Sequence, residues 1–136
     1  MIDPRRFSEA VWSGDAFAVQ AMIVAGADVN AAAPGRWPPL HLAIEQQFVE
    51  IVRQLIRAGA EVNRDLGDGW TPLVHAIDIE SDGAWQAHHE TGHESTELTE
   101  ILLAARAIPT ERAFEVAHNY GNQKALSLLS GSTESN

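Results

Sequence analysis

The hexapeptide Ala25-Gly26-Ala27-Asp28-Val29-Asn30 returns as Ala58-Gly59-Ala60-Glu61-Val62-Asn63, which sets a repeat offset of 59 − 26 = 33. A second block keeps the same offset: Pro39-Leu40-His41-Leu42-Ala43-Ile44 maps onto Pro72-Leu73-Val74-His75-Ala76-Ile77, and Trp37 onto Trp70. Two blocks in one register restrict the chain to an array of similar units, each too small to bury a hydrophobic face by itself. Within one unit Leu40, Ala43 and Ile44, then Ile51, Val52, Leu55 and Ile56, recur at helical spacing around a polar break at Glu45-Gln46-Gln47. That pattern predicts two short helices in a hairpin. Gly59 suits the left-handed residue that ends a helix, and Gly67-Asp68-Gly69 supplies a tight turn, so Asn63 to Trp70 reads as a projecting finger.

Moving back by the same offset finds an N-terminal cap, with Phe7, Ala10, Val19 and Met22-Ile23 in the slots of Leu40, Ala43, Val52 and Leu55-Ile56. Near the other end Phe114, Val116 and Ala117, then Ala125, Leu126, Leu128 and Leu129, give a closing helix pair entered through Pro109-Thr110-Glu111. The third unit is irregular: Leu98 fills the slot of Ile51 at an offset of 98 − 51 = 47, so an excess of 47 − 33 = 14 separates its helices. The expected organisation is a single domain over 1–136: cap 5–33, second repeat 34–66, third repeat 67–108 with an insertion at about 80–96, closing cap 109–130 and a disordered tail 131–136. Insertions in such arrays map to loops on one face, often the binding face.

On these residues the chain resembles the ankyrin repeat proteins over about 5–129, with Thr71-Pro72-Leu73 intact and Pro38 in place of the threonine in Pro38-Pro39-Leu40-His41-Leu42-Ala43. Its second histidine, His75, stands one place late in that block. The resemblance implies an all-α solenoid of about four helix-turn-helix repeats with short β-hairpin fingers, whose fingers and first helices line a concave groove that binds other proteins. It puts Trp37 and Trp70 on the fingers beside Gly35 and Asp68, with Glu45, Gln46, Asp78 and Ile79 on the first-helix ends and Trp12 on the cap. Asp82, Trp85, His88 and His89 of the insertion complete the expected partner-binding set. The plainer reading of each finger Trp is a brace holding its own finger to the next helix.

The formal charge of -10, from 9 basic and 19 acidic side chains, disfavours nucleic acid and anionic membrane and favours a basic protein partner. With no cysteine there is neither a disulfide framework nor a thiolate site. No apolar run reaches membrane-spanning or signal-peptide length, and the chain is expected to be cytoplasmic and monomeric by itself. His89-Glu90-Thr91-Gly92-His93 satisfies the letters of a zinc-protease motif, yet Gly92 and the shortness of the insertion oppose a rigid catalytic helix, so a metal-dependent hydrolase is the weakest reading. Asp78-Ile79-Glu80-Ser81-Asp82-Gly83 opens like a calcium loop, but His89 falls where a bidentate Glu is required; these acids are expected to cap helices, hold the insertion or face a partner. His75 is expected to anchor the base of the insertion, through Asp82 or a backbone carbonyl, and His41 to tie a finger to its helix. No cofactor, metal or catalytic residue is assigned. A non-catalytic protein-binding module leads, in the form of an immunity protein neutralising a basic toxin, ahead of a regulatory adaptor or inhibitor of an endogenous protein.

Overall fold

A computed structural model of the chain describes residues 2–86 and 95–134, with side chains described over 2–82 and 95–132. The described residues form eight helices: α1 (Pro4–Ser13), α2 (Ala16–Val24), α3 (Pro39–Glu45), α4 (Val49–Arg57), α5 (Pro72–Gln86), α6 (Glu97–Ala104), α7 (Glu111–Asn119) and α8 (Gln123–Glu134). They fall into two compact units, Met1–Glu61 and Val62–Asn136. In the first, α1 pairs with α2 and α3 with α4, while α1 packs on α3 and α2 on α4. In the second, α5 packs on α6 and α7, and α8 on α7 and α6. Phe7, Val11, Ile44, Ile51 and Leu55 are fully buried in the first unit, and Leu73, Ile77, Leu98, Leu102 and Leu129 in the second.

Three of the hairpins turn through one left-handed residue each, and the slots repeat. Gly14 (φ 80), Gln47 (φ 59) and Gly121 (φ 67) join first to second helices. At Gly14 the turn is doubly restricted, because an added Cβ would lie 2.8 Å from the Phe48 ring. Asp15 and Asn122 then cap α2 and α8 by accepting from Ala18 N–H (2.9 Å) and Ala125 N–H (3.0 Å). At the ends of the second helices stand Gly26 (φ 98), Gly59 (φ 98) and Arg106 (φ 73). Their N–H groups donate to Ile23, Ile56 and Leu103 carbonyls, and the next residue's N–H donates to Met22, Leu55 and Leu102. Arg106 therefore fills the slot of Gly59 at the lengthened offset of 106 − 59 = 47, in a conformation that suits glycine better.

The same asparagine staple recurs at two places. Asn30 donates to Gly59 C=O (3.3 Å) and accepts from Glu61 N–H (2.8 Å). Asn63 donates to Arg106 C=O (3.3 Å) and accepts from Ile108 N–H (2.8 Å). The sequence separations of the accepting bonds are 31 and 45, so the same staple closes over a segment that is longer by the full length of the insertion. Both asparagines close the repeated block that defines the register.

Three expectations are revised. No strand forms among the described residues: the 63–70 finger coils through consecutive left-handed residues Gly67, Asp68 and Gly69, leaving Leu66 N–H to Trp70 C=O (3.1 Å) as its cross-finger bond, so the fingers are turns and not β-hairpins. The insertion begins as helix and not as a loop, since α5 runs on to Gln86, with Glu80 and Ser81 buried. Finally, α8 continues to Glu134, into the segment expected to be disordered.

Arg106→Gly should raise unfolding free energy by roughly 0.5–1 kcal/mol, the strain relieved less the extra chain entropy of glycine. Urea denaturation at unchanged slope is the measurement.

Candidate protein-binding surface

The start of α6 is held by a side chain from α5. Thr96 occupies the N-cap position, yet its hydroxyl pairs with Glu100 Oε2 (3.2 Å) and does not cap the helix. The capping acceptor is Glu80, 4% exposed: Leu98 N–H donates to its Oε2 (2.9 Å), and Thr99 N–H (3.1 Å) and Thr99 Oγ1 (2.7 Å) donate to its Oε1. Ser95 Oγ reaches the same carboxylate at 3.4 Å. One buried carboxylate thus joins the two sides of the insertion. Glu80 occupies the repeat slot of Gln47, where the hairpin of the preceding repeat turns. Burial pushes its pKa above the ordinary carboxylate value, outweighing the hydrogen bonds from Thr99, Leu98 and Ser95 that pull it down.

On the same helix Asp78 accepts from the Tyr120 hydroxyl at 2.8 Å. Loss of solvent, followed by the Asp78 hydrogen bond and the charges of Asp78 and Asp82, raises Tyr120 to about 12. Ser81, one turn on, accepts from Asn122 Nδ2 at 2.9 Å. Tyr120 and Asn122 flank the turn residue Gly121, so the α7–α8 turn is seated directly on α5. At the other end of α5, Thr71 Oγ1 accepts from Val74 N–H (3.3 Å), and Trp70 tilts over the buried His75 ring with centroids 5.6 Å apart. His75 therefore lies beneath the finger tryptophan, and the carboxylate spanning the insertion is that of Glu80.

In the first unit the equivalent slots make the equivalent reach: Gln46 Nε2 donates to Trp12 C=O at 3.0 Å, as Tyr120 donates to Asp78. Trp12 is 40% and Trp37 42% exposed, and Glu45 is half-buried at the end of α3. The residues expected to line one groove accordingly divide between the units. Trp37, Glu45 and Gln46 belong to the first, and Asp68, Trp70, Asp78, Ile79 and Asp82 to the second. Asp68 is exposed at the finger tip, whereas Trp70, Asp78, Ile79 and Asp82 are half-buried. Trp85 lies in α5; its side chain, together with His88, His89, Glu90, His93 and Glu94, is outside the described residues. Among the described residues no group of three or more His, Asp or Glu is placed to hold a metal ion. None of the described helices is long and apolar enough to cross a membrane.

Sequence reasoning overlooked Tyr120, Asn122 and both junction asparagines. The asparagines were visible as the last letter of the repeated block, and Asn122 as the residue after Gly121 in the slot of the capping Asp15. Tyr120 carried no such signal, because its partner lies 42 residues earlier in sequence.

The repeated hairpins, left-handed slots and junction staples define a helical repeat protein. The sequence profile for ankyrin repeats (3 copies) matches residues 7–85, and the chain belongs to the ankyrin repeat family. No curated protein matches it. Ankyrin repeats are generally protein-interaction modules and typically non-catalytic.

The chain holds a single tyrosine, so alkaline spectrophotometric titration reads Tyr120 alone: a midpoint near 12 is expected, falling toward the ordinary 10 in Asp78→Asn. Glu80→Gln leaves a buried amide donor opposed to another donor and should cost about 1–3 kcal/mol. With its pKa raised, the folded chain binds the Glu80 proton more tightly than the unfolded chain. Its contribution is therefore complete below the ordinary 4.5 and is lost as pH rises through the raised value. The stability gap between wild type and Glu80→Gln should widen on acidification across that window, measured by urea melts at a series of pH values.

Proposed function

We propose that the chain is a non-catalytic binding module for a basic protein. Its contact residues would be Trp37, Glu45 and Gln46 in the first unit, and Asp68, Trp70, Asp78, Ile79 and Asp82 in the second, together with Trp85, His88 and His89 of the insertion. The observation that carries the reading is the row on α5: Asp78 and Asp82, half-exposed beside the Tyr120 hydroxyl and following the Trp70 finger. Aromatic anchors bordered by polar and charged groups suit protein interfaces. Charge supports the same side. Met1–Glu61 carries 5 basic and 7 acidic residues, a net 5 − 7 = -2, which leaves -8 of the total -10 to Val62–Asn136.

The specific form we favour is an immunity-type protein whose acidic face covers the basic active site of a toxin such as a nuclease. Genes for such pairs lie side by side, so a toxin gene next to this one supports that form, and its absence favours a regulatory adaptor or inhibitor of an endogenous protein. The test of the binding surface is cross-linking to identify the partner, followed by calorimetry with Trp70→Ala, Asp78→Ala and a deletion of 83–95. Loss of about 2 kcal/mol or more, roughly thirtyfold in Kd, is expected for a hot-spot truncation. Unchanged affinity in all three variants overturns the assignment.

A further inference from the structure

Helix α2 reads AFAVQAMIV, apolar on every side except Gln20, yet Val19 is its one fully buried residue. A short helix apolar all round belongs in an interior. Part of this exposure follows from the absence of a preceding helix pair among the described residues: Ala18 and Met22 occupy the slots of Ile51 and Leu55, which are buried in α4. Phe17 and Val24 are different. Their counterparts one repeat later are Glu50 and Arg57, which face solvent on α4 and pair with each other at 3.8 Å with side chains 62% and 67% exposed. Positions that are charged and outward in one helix are apolar and outward in its neighbour, with Phe17 88% and Val24 78% exposed and Ala21 exposed between them.

We propose that the outer face of α2 and α4 is a self-association surface whose occupant is a second copy of this chain, related by a two-fold axis. Matched spacing supports this pairing. Phe17 and Val24 are separated on α2 by the same interval as Glu50 and Arg57 on α4, at the same heights along two packed helices. An antiparallel copy laid on this face sets Phe17 over the partner's Val24 and, in the same register, Glu50 over the partner's Arg57. Because the arrangement is isologous, every contact is made twice. A copy related by an axis along the helices would instead set Phe17 over the partner's Glu50 and Val24 over the partner's Arg57, so that charged groups would be buried against apolar ones. The exposed ion pair within one chain is worth little, so replacing it with two intermolecular pairs beside an apolar strip favours association. The small charge of Met1–Glu61, 5 − 7 = -2, keeps repulsion between two such faces low.

Two short helices per copy make a contact at the small end of specific interfaces, so the dimer should be weak, with a Kd on the order of 10–100 μM. Sedimentation equilibrium on the full chain across that range is the experiment, with circular dichroism and urea melts to confirm that each variant folds. Phe17→Glu, which acts twice per dimer, should weaken association at least about tenfold. Glu50→Arg alone should do likewise by opposing like charges. The double exchange Glu50→Arg with Arg57→Glu restores the pairing between identical copies and should return the dimer to within about threefold of wild type, while failing to pair with wild-type chains. A chain that stays monomeric to about 1 mM, a dimer insensitive to Phe17→Glu, or a double exchange no better than Glu50→Arg overturns the proposal.

Discussion

The first amides of a helix have no partner within it, and when that end is buried something outside must accept from them. At α6 this demand is met by Glu80, a residue from the helix before the insertion. Much of the second unit follows from that single requirement. Because Glu80 remains helical, α5 cannot turn where α3 turns. Because its carboxylate must reach Leu98 and Thr99, the two ends of the inserted segment are held together whatever lies between them. Ser81 and Asp78, on the same stretch, then receive Asn122 and Tyr120 from the next hairpin turn. An acid buried without donors would be neutral and costly; here the donors are backbone amides that would themselves be costly if left alone.

The asparagine staples show why the repeat survives the interruption. Each amide engages a carbonyl and an N–H at the left-handed end of the following helix pair, so it senses where that helix stops and not how much chain preceded it. Arg106 illustrates the strength of this constraint. A long charged residue adopts a conformation natural to glycine because the staple from Asn63 and the closing bonds to Leu102 and Leu103 require a left-handed turn there.

What was legible in the sequence was periodic. The repeat register, the helix pairs, the late arrival of Leu98 and the terminal caps all rest on apolar spacing, which reports burial directly. The finger geometry was less legible, since glycine and aspartate signal a turn without saying whether its arms pair as strands. On the candidate surface, Asp78 and Trp70 were proposed because they occupy family slots. The role of Glu80 was anticipated only as one of several acids available to cap a helix, because a cap supplied from 18 residues away leaves no local pattern. Tyr120 was missed for the same reason. Side chains that act across repeats are set by tertiary placement, and composition cannot reveal them.

The clasp formed by Glu80 also bears on how such a chain can diversify. Lengthening a closed loop costs only about 0.6 kcal/mol for each doubling, since the entropy of closure grows with the logarithm of its length. With both ends fixed by one carboxylate, the residues between can be exchanged, extended or shortened while the hairpins on either side keep their contacts. The third repeat thus offers a site where new recognition can be tried at small thermodynamic cost, leaving the surrounding scaffold as it was.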